Sequence, residues 1–101
     1  MADDTLTIIA HINAEAGREA ALLAELRILV EETNREEGCL RYELNVAKGE
    51  PARFLMVEEW ASYDLWQAHN DGAAIARFRG ASAGLVAGVE VTQWLPDRPA
   101  A

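Results

Sequence analysis

The chain has 101 residues, nine Lys+Arg against seventeen Asp+Glu, and a formal charge of −8 with both histidines neutral. A chain of this size buries roughly two-thirds of its unfolded surface, enough for one core and too little for two. Half of its residues are apolar and only three are proline, which excludes a disordered composition, and the acidity argues against nucleic acid or a membrane as partner, since it repels phosphate backbones and anionic lipid.

From Thr5 to Ala14 the residues alternate, Leu6, Ile8, Ala10 and Ile12 on one face and Thr7, Ile9, His11 and Asn13 on the other, which predicts a strand. Ile9, between Thr7 and His11, keeps the second face from being plainly solvated. After Gly17 the period changes: Leu22, Leu23, Leu26, Leu29, Val30 and Thr33 recur at steps of three and four, the pattern of a long amphipathic helix. Gly38 is placed to end it after Glu37 as a left-handed residue.

Cys39 to Val46 alternates with Leu40, Tyr42, Leu44 and Val46 on one face and Arg41, Glu43 and Asn45 on a wet one. The stretch 47–52 has turn chemistry and returns the chain as a hairpin. Its second arm, Arg53 to Trp60, is apolar on both faces, as a strand in mid-sheet would be. Ser62 can cap a short helix running to about Asn70, Asp71-Gly72 interrupts it, and a second segment from Ala73 to about Val86 presents Ile75, Phe78, Ser82 and Leu85. A last strand spans Val89 to Leu95 before Pro96, and the tail from Asp97 to Ala101 offers nothing to bury. There is no repeat and no linker, so residues 1–101 read as one domain.

Strand, helix, strand, strand, helix, strand is the order of the ferredoxin-like split βαβ arrangement, an α+β fold with a four-stranded antiparallel sheet. Right-handed crossovers place the first and third strands in the middle, and these are the two that are apolar on both faces. Helices on one side leave Ile9 with Leu55 and Val57, or the opposite set, facing water. A two-fold homodimer with sheets packed face to face covers them.

No metal site is predicted, because His11, His69 and Cys39 form no ligand pair at helical spacing. A phosphate-binding glycine loop and a Gly-x-Ser-x-Gly elbow are both missing. The single Cys39 forms no internal disulfide, and no run of about eighteen apolar residues suggests a membrane span. With the acidic start Met1-Ala2-Asp3-Asp4, unlike a secretory signal, the expected location is cytoplasmic.

The run from Glu36 to Leu44, with Gly38-Cys39-Leu40-Arg41-Tyr42-Glu43 at its centre, then Phe54 to Trp60 closing on Glu58-Glu59-Trp60, then Ala68-His69 and Phe78, resembles the antibiotic biosynthesis monooxygenase domain, including the small quinol monooxygenases. The resemblance covers nearly the whole chain. It implies a dimeric α/β barrel of ferredoxin-like protomers and a cofactor-independent oxidation of a small aromatic or quinol substrate by molecular oxygen, with no metal, flavin or haem. The family also includes haem-degrading enzymes, whose Trp and His positions here fall near His69 and Phe78-Arg79-Gly80, while Asn13 lies near the wrong end of its strand; haem degradation is disfavoured. Isomerases and proteins without assigned activity share the scaffold, so an isomerase or a non-catalytic ligand-binding or stress-responsive barrel are the alternatives.

His69 is the candidate acid or base, since imidazole titrates near neutrality and it occupies the family's Ala-His position; a structural hydrogen bond is the other reading. Trp60, Trp66, Tyr42 and Phe78 are candidate walls for a planar substrate, or core. Arg79 is a candidate for binding a phenolate, or else a solvated cation. His11 joins the pocket only if its face meets the helices. Glu58 and Glu59 point to opposite faces, so one is inward and paired, and they are no catalytic acid pair. Cys39 is expected to pack rather than react. Gly80, Gly84 and Gly88 either line one helical side or mark a poorly helical segment.

Overall fold

Four strands, β1 (Leu6–Ala14), β2 (Cys39–Ala47), β3 (Glu50–Trp60) and β4 (Val86–Trp94), form one sheet in the order β2-β3-β1-β4, every pair antiparallel. The structure, a computed structural model, describes residues 4–98. The acidic start Met1-Ala2-Asp3 and the tail end Pro99-Ala100-Ala101 lie outside the described residues. Three helices, α1 (Glu19–Thr33), α2 (Tyr63–Asn70) and α3 (Ala73–Ala81), complete the ferredoxin-like α+β fold. Among the described residues, no helix is long and apolar enough to cross a membrane.

Period-two patterning decides the two faces. Leu6, Ile8, Ala10, Ile12 and Ala14 of β1 and Phe54, Met56, Glu58 and Trp60 of β3 are buried under the helices. α1 contributes Leu22, Leu26, Leu29 and Thr33, at steps of four, three and four, as its buried stripe, and each fully buried aliphatic side chain contributes about 2–3 kcal/mol by leaving water. On the opposite face Ile9 stands across from Val57, and His11 from Leu55. Ile9, Leu55 and Val57 are half-buried there, and His11 is exposed. Of the two faces left open by the sequence, the one carrying Ile9 is helix-free.

Several element ends differ from those expected. α1 stops at Thr33, not near Glu37, because the Asn34 amide Nδ2 donates both to Val30 O (2.9 Å) and to Tyr42 O on β2 (3.2 Å). Residues 34–38 then pass through turns, with Glu36 N donating to Thr33 O and Cys39 N to Glu36 O. Gly38 is left-handed (φ +82°), but its task is to start β2 against α2, where a Cβ would fall 2.5 Å from Leu65 Cδ1. Cys39 pairs with Trp60 and Arg41 with Glu59, so Leu40 is the extra residue of a bulge and is exposed instead of sharing the Tyr42 face. β3 begins at Glu50 and takes in Pro51, in the irregular stretch between Val46 and Ala47 where pairing is interrupted. α3 ends at Ala81, and Gly84 (φ +80°) turns the chain so that β4 starts at Val86. The run of glycines therefore marks the end of a helix, not one of its sides.

Arg77 fastens α3 to α1, its Nε donating to Glu32 Oε1 (2.6 Å) and its NH1 to Glu25 Oε2 (2.9 Å). β4 receives no such roof. Val89 and Val91 stand across from Ile12 and Ala10 on the helix side, yet they are 59% and 49% exposed. The space between sheet and helices opens there.

Candidate active site

A cavity of about 420 Å³ lies between the sheet and the helices, open towards β4. Its floor is Ile8, Ala10, Met56, Tyr42 and Glu58, which reach it because they occupy alternate positions on the buried face of β1, β2 and β3. Its roof is Trp66 and His69 from α2 with Phe78 and Arg79 from α3. α2 is set in place by Ser62, whose hydroxyl accepts from Leu65 N (3.2 Å). Trp66 and His69, three residues apart, fall on its inner side, and Val89 and Val91 form the lip.

Five of the six residues expected at a site, His69, Trp66, Tyr42, Phe78 and Arg79, line this one cavity. Arg79 sits at its solvent-exposed rim. Trp60 does not line it. The Trp60 side chain has no exposed surface and lies behind His69, with ring centroids 4.8 Å apart and planes at 33°. From there its Nε1 donates to Glu58 Oε1 (2.9 Å). Tyr42 meets the same imidazole edge-on at 5.5 Å, so two aromatic rings restrict His69, itself 4% exposed.

The third side of the His69 ring leaves the core. Its Nδ1 is 2.8 Å from Glu36 Oε1, and Glu36 lies in the turns between α1 and β2. With Nδ1 engaged by a carboxylate, Nε2 is the ring nitrogen left without a hydrogen-bond partner among the described residues. A shallow hollow of about 360 Å³ lies on the Glu36 side, between Glu36, Glu37, Leu65, Ala68 and Gly72, and His69 lines it as well.

Sequence reasoning missed two residues. Glu58 shares the period-two face of Phe54, Met56 and Trp60, so its inward direction was readable; its position on the floor beside His69 was not. Only 4% exposed, Glu58 has its pKa pushed up to about 7 by burial, against the pull of the Trp60 hydrogen bond. Its carboxyl thus exchanges a proton near neutral pH. Glu36 is 33 residues from His69, and no local pattern joins them. Burial and the charges of Glu58, Cys39 and Glu36 push the Tyr42 phenol up, so it stays a proton donor. Burial, then Glu58 and Glu36, push the Cys39 thiol up to about 11, which leaves it protonated and poorly nucleophilic.

His11 is absent from this cavity. It lines a second hollow of about 510 Å³ on the helix-free face with Asn13, Asn45, Arg53 and Glu90. That hollow holds no buried proton carrier, whereas the first holds two, and acid–base chemistry is favoured in the first.

The ferredoxin-like α+β fold thus carries, under its helices, a cavity walled by aromatic rings in which a buried histidine and a buried carboxyl with a pKa pushed up to about 7 meet. The chain matches the antibiotic biosynthesis monooxygenase family over residues 5–81 and belongs to it. A Bacillus subtilis protein named "Putative monooxygenase YcnE" is 29% identical over 73 residues, covering 72% of this chain and 77% of that protein. The crystal structure of PA3566 from Pseudomonas aeruginosa is 32% identical, covers 94% of this chain and 96% of its own, and superposes with a TM-score of 0.90. The structure of SO0527 from Shewanella oneidensis, also 32% identical, covers 92% and 91% with a TM-score of 0.84.

Proposed function

We propose that this protein is a cofactor-independent monooxygenase that oxidises a small phenolic or quinol substrate with molecular oxygen in the cavity under α2 and α3. The observation that carries this reading is the presence of two buried proton carriers, His69 and Glu58, in one aromatic-walled space of about 420 Å³. Oxygen accepts an electron far more readily from a phenolate than from a phenol, so the protein's task is to take a proton from a bound hydroxyl in a dry, oriented setting. His69 is the acceptor, with Trp66, Tyr42 and Phe78 as flat walls and Arg79 at the rim as a countercharge; Trp60 acts from behind by backing His69.

The atoms balance without a further reductant. A phenol with an oxidisable ring C–H, or a hydroquinone with a free ring C–H, reacts with one O₂. One oxygen atom is inserted at that C–H, giving the quinone from the phenol and the hydroxyquinone from the hydroquinone, and the other leaves as water with the two hydrogens that the substrate loses. All four electrons come from the substrate. The carboxyl of Glu58, half protonated near pH 7, supplies the proton for the departing water.

The same two groups also favour a second reading, an isomerase that removes a proton with one and returns it with the other, consuming no oxygen. Oxygen uptake with a menadiol-type hydroquinone, together with detection of an oxygenated product, separates the two. Uptake at background across a quinol panel removes the oxygenase reading.

The helix-free face supports a homodimer, giving a dimeric α/β barrel. Ile9, Leu55 and Val57 form an apolar strip on the central strands, flanked by Trp94, 56% exposed, and a second copy related by a two-fold axis covers the strip with its own equivalent. A cytoplasmic location fits a chain whose one cysteine, Cys39, remains a protonated, unpaired thiol.

A further inference from the structure

His69 is the one side chain shared by the main cavity and the hollow on the Glu36 side. Its ring is held there by three different contacts. Trp60 and Tyr42 fix the plane, and the Glu36 carboxylate, 2.8 Å from Nδ1, chooses the nitrogen. A carboxylate oxygen only accepts, so the proton of a neutral imidazole is drawn to Nδ1. Free imidazole in a histidine side chain prefers the proton on Nε2, and that form would present the cavity with a donor, useless for taking a proton from a hydroxyl.

We infer that Glu36 is the positioning residue of this site: it holds neutral His69 as the Nδ1–H tautomer, so that Nε2 meets the cavity as a bare acceptor for a ligand hydroxyl. The inference rests on the reading of His69 as the proton acceptor and extends it to a residue that never touches the ligand. The side chain of Glu36 is 25% exposed while that of His69 is 3% exposed. The carboxylate therefore keeps contact with water at the hollow while its partner stays dry, and the imidazolium formed in each reaction would be stabilised by the ion pair. The other titratable groups around the ring are Glu58 and Tyr42, from the cavity floor, and Cys39 and Glu37 beside the turns; Arg79 is the cation at the rim. None of these is hydrogen-bonded to the imidazole, whereas Glu36 is.

The test is ¹⁵N NMR of the imidazole in the whole protein, which reports each ring nitrogen as protonated or bare and needs no substrate. At a pH where His69 is neutral, the wild type is expected to show a protonated Nδ1 and a bare Nε2. Glu36→Gln, whose amide carbonyl still accepts, is expected to keep that pattern. Glu36→Ala is expected to lose it, the proton passing to Nε2. A wild type with its proton on Nε2, or a Glu36→Ala protein that retains the wild-type pattern, overturns the inference. The wild-type and Glu36→Gln spectra decide the matter even if Glu36→Ala fails to fold. The expected tautomers in a protein that oxidises no quinol would sink the oxygenase reading and leave this one standing, so the two fail separately.

Discussion

Glu58 and Trp60, two residues apart on the buried face of β3, are joined by a hydrogen bond from the indole Nε1 to Oε1 at 2.9 Å. Strand geometry brings i and i+2 to the same face, so the bond is built into the strand and fixes a carboxyl on the cavity floor with one oxygen to spare.

That carboxyl makes folding depend on pH. Below about pH 4.5 Glu58 is protonated in the folded and unfolded chains alike. Between 4.5 and its folded value of about 7 the unfolded chain releases its proton while the folded chain keeps it, so the contribution of Glu58 to stability falls as pH rises through this window. Its full size is about 3 kcal/mol. Glu58→Gln, still an acceptor for Trp60, should lose this slope and be the more stable protein at pH 8. Urea midpoints of both proteins across pH 4.5–8 check this; parallel curves would show that the carboxyl ionises inside the fold without penalty.

His69→Ala is expected to reduce oxygen uptake with a menadiol-type hydroquinone by roughly 10²- to 10⁴-fold, the usual contribution of a positioned acid or base. Uptake at the same background level in both proteins across a quinol panel would remove the main support for catalysis.

Gly38 and Gly49 are both left-handed, at φ +82° and +77°, but a Cβ at Gly38 meets Leu65 at 2.5 Å whereas nothing lies within 4 Å of one at Gly49. Gly49→Ala should cost about 1–2 kcal/mol for the backbone conformation alone. Gly38→Ala adds overpacking worth about 1–3 kcal/mol more, because α2 must shift. Denaturant unfolding of the pair measures the difference, and equal losses would mean that Leu65 moves aside freely.

Ile9 and Val57 face each other across the middle of the helix-free sheet. The wild type is expected to sediment at twice the 11.1 kDa chain mass, and Val57→Lys to run as a folded monomer with unchanged helix content. A wild type that stays monomeric at micromolar concentration would falsify the face-to-face assembly.

The sheet order and the choice of central strands were legible because alternation is a local property of side chains along a strand: β1 and β3 carry apolar residues on both faces, and no tertiary information is needed to see it. Element ends were less legible. The stop of α1 at Thr33 depends on Asn34 reaching Tyr42 O, and the displacement of Leu40 on a bulge between β2 and β3; each is decided by a partner from elsewhere in the chain. The site divides in the same way. Trp66, Phe78 and Tyr42 were readable as residues facing inward, but inward residues become either walls or packing according to how closely the helices sit. Trp60 went behind His69, where its flat face fills space and its N–H finds Glu58.

By itself, then, the sequence determined the ferredoxin-like topology, the faces of its strands and the approach of His69 to the sheet, since periodicities of two and near 3.6 are written residue by residue. Only the tertiary structure decided that Glu36, from a turn 33 residues away, holds one nitrogen of that histidine, that Glu58 reaches the cavity floor, and that β4 is left unroofed at the cavity mouth. Hydrogen-bond partners and empty volume depend on the relative placement of whole elements, and placement is set by the packing of all of them together.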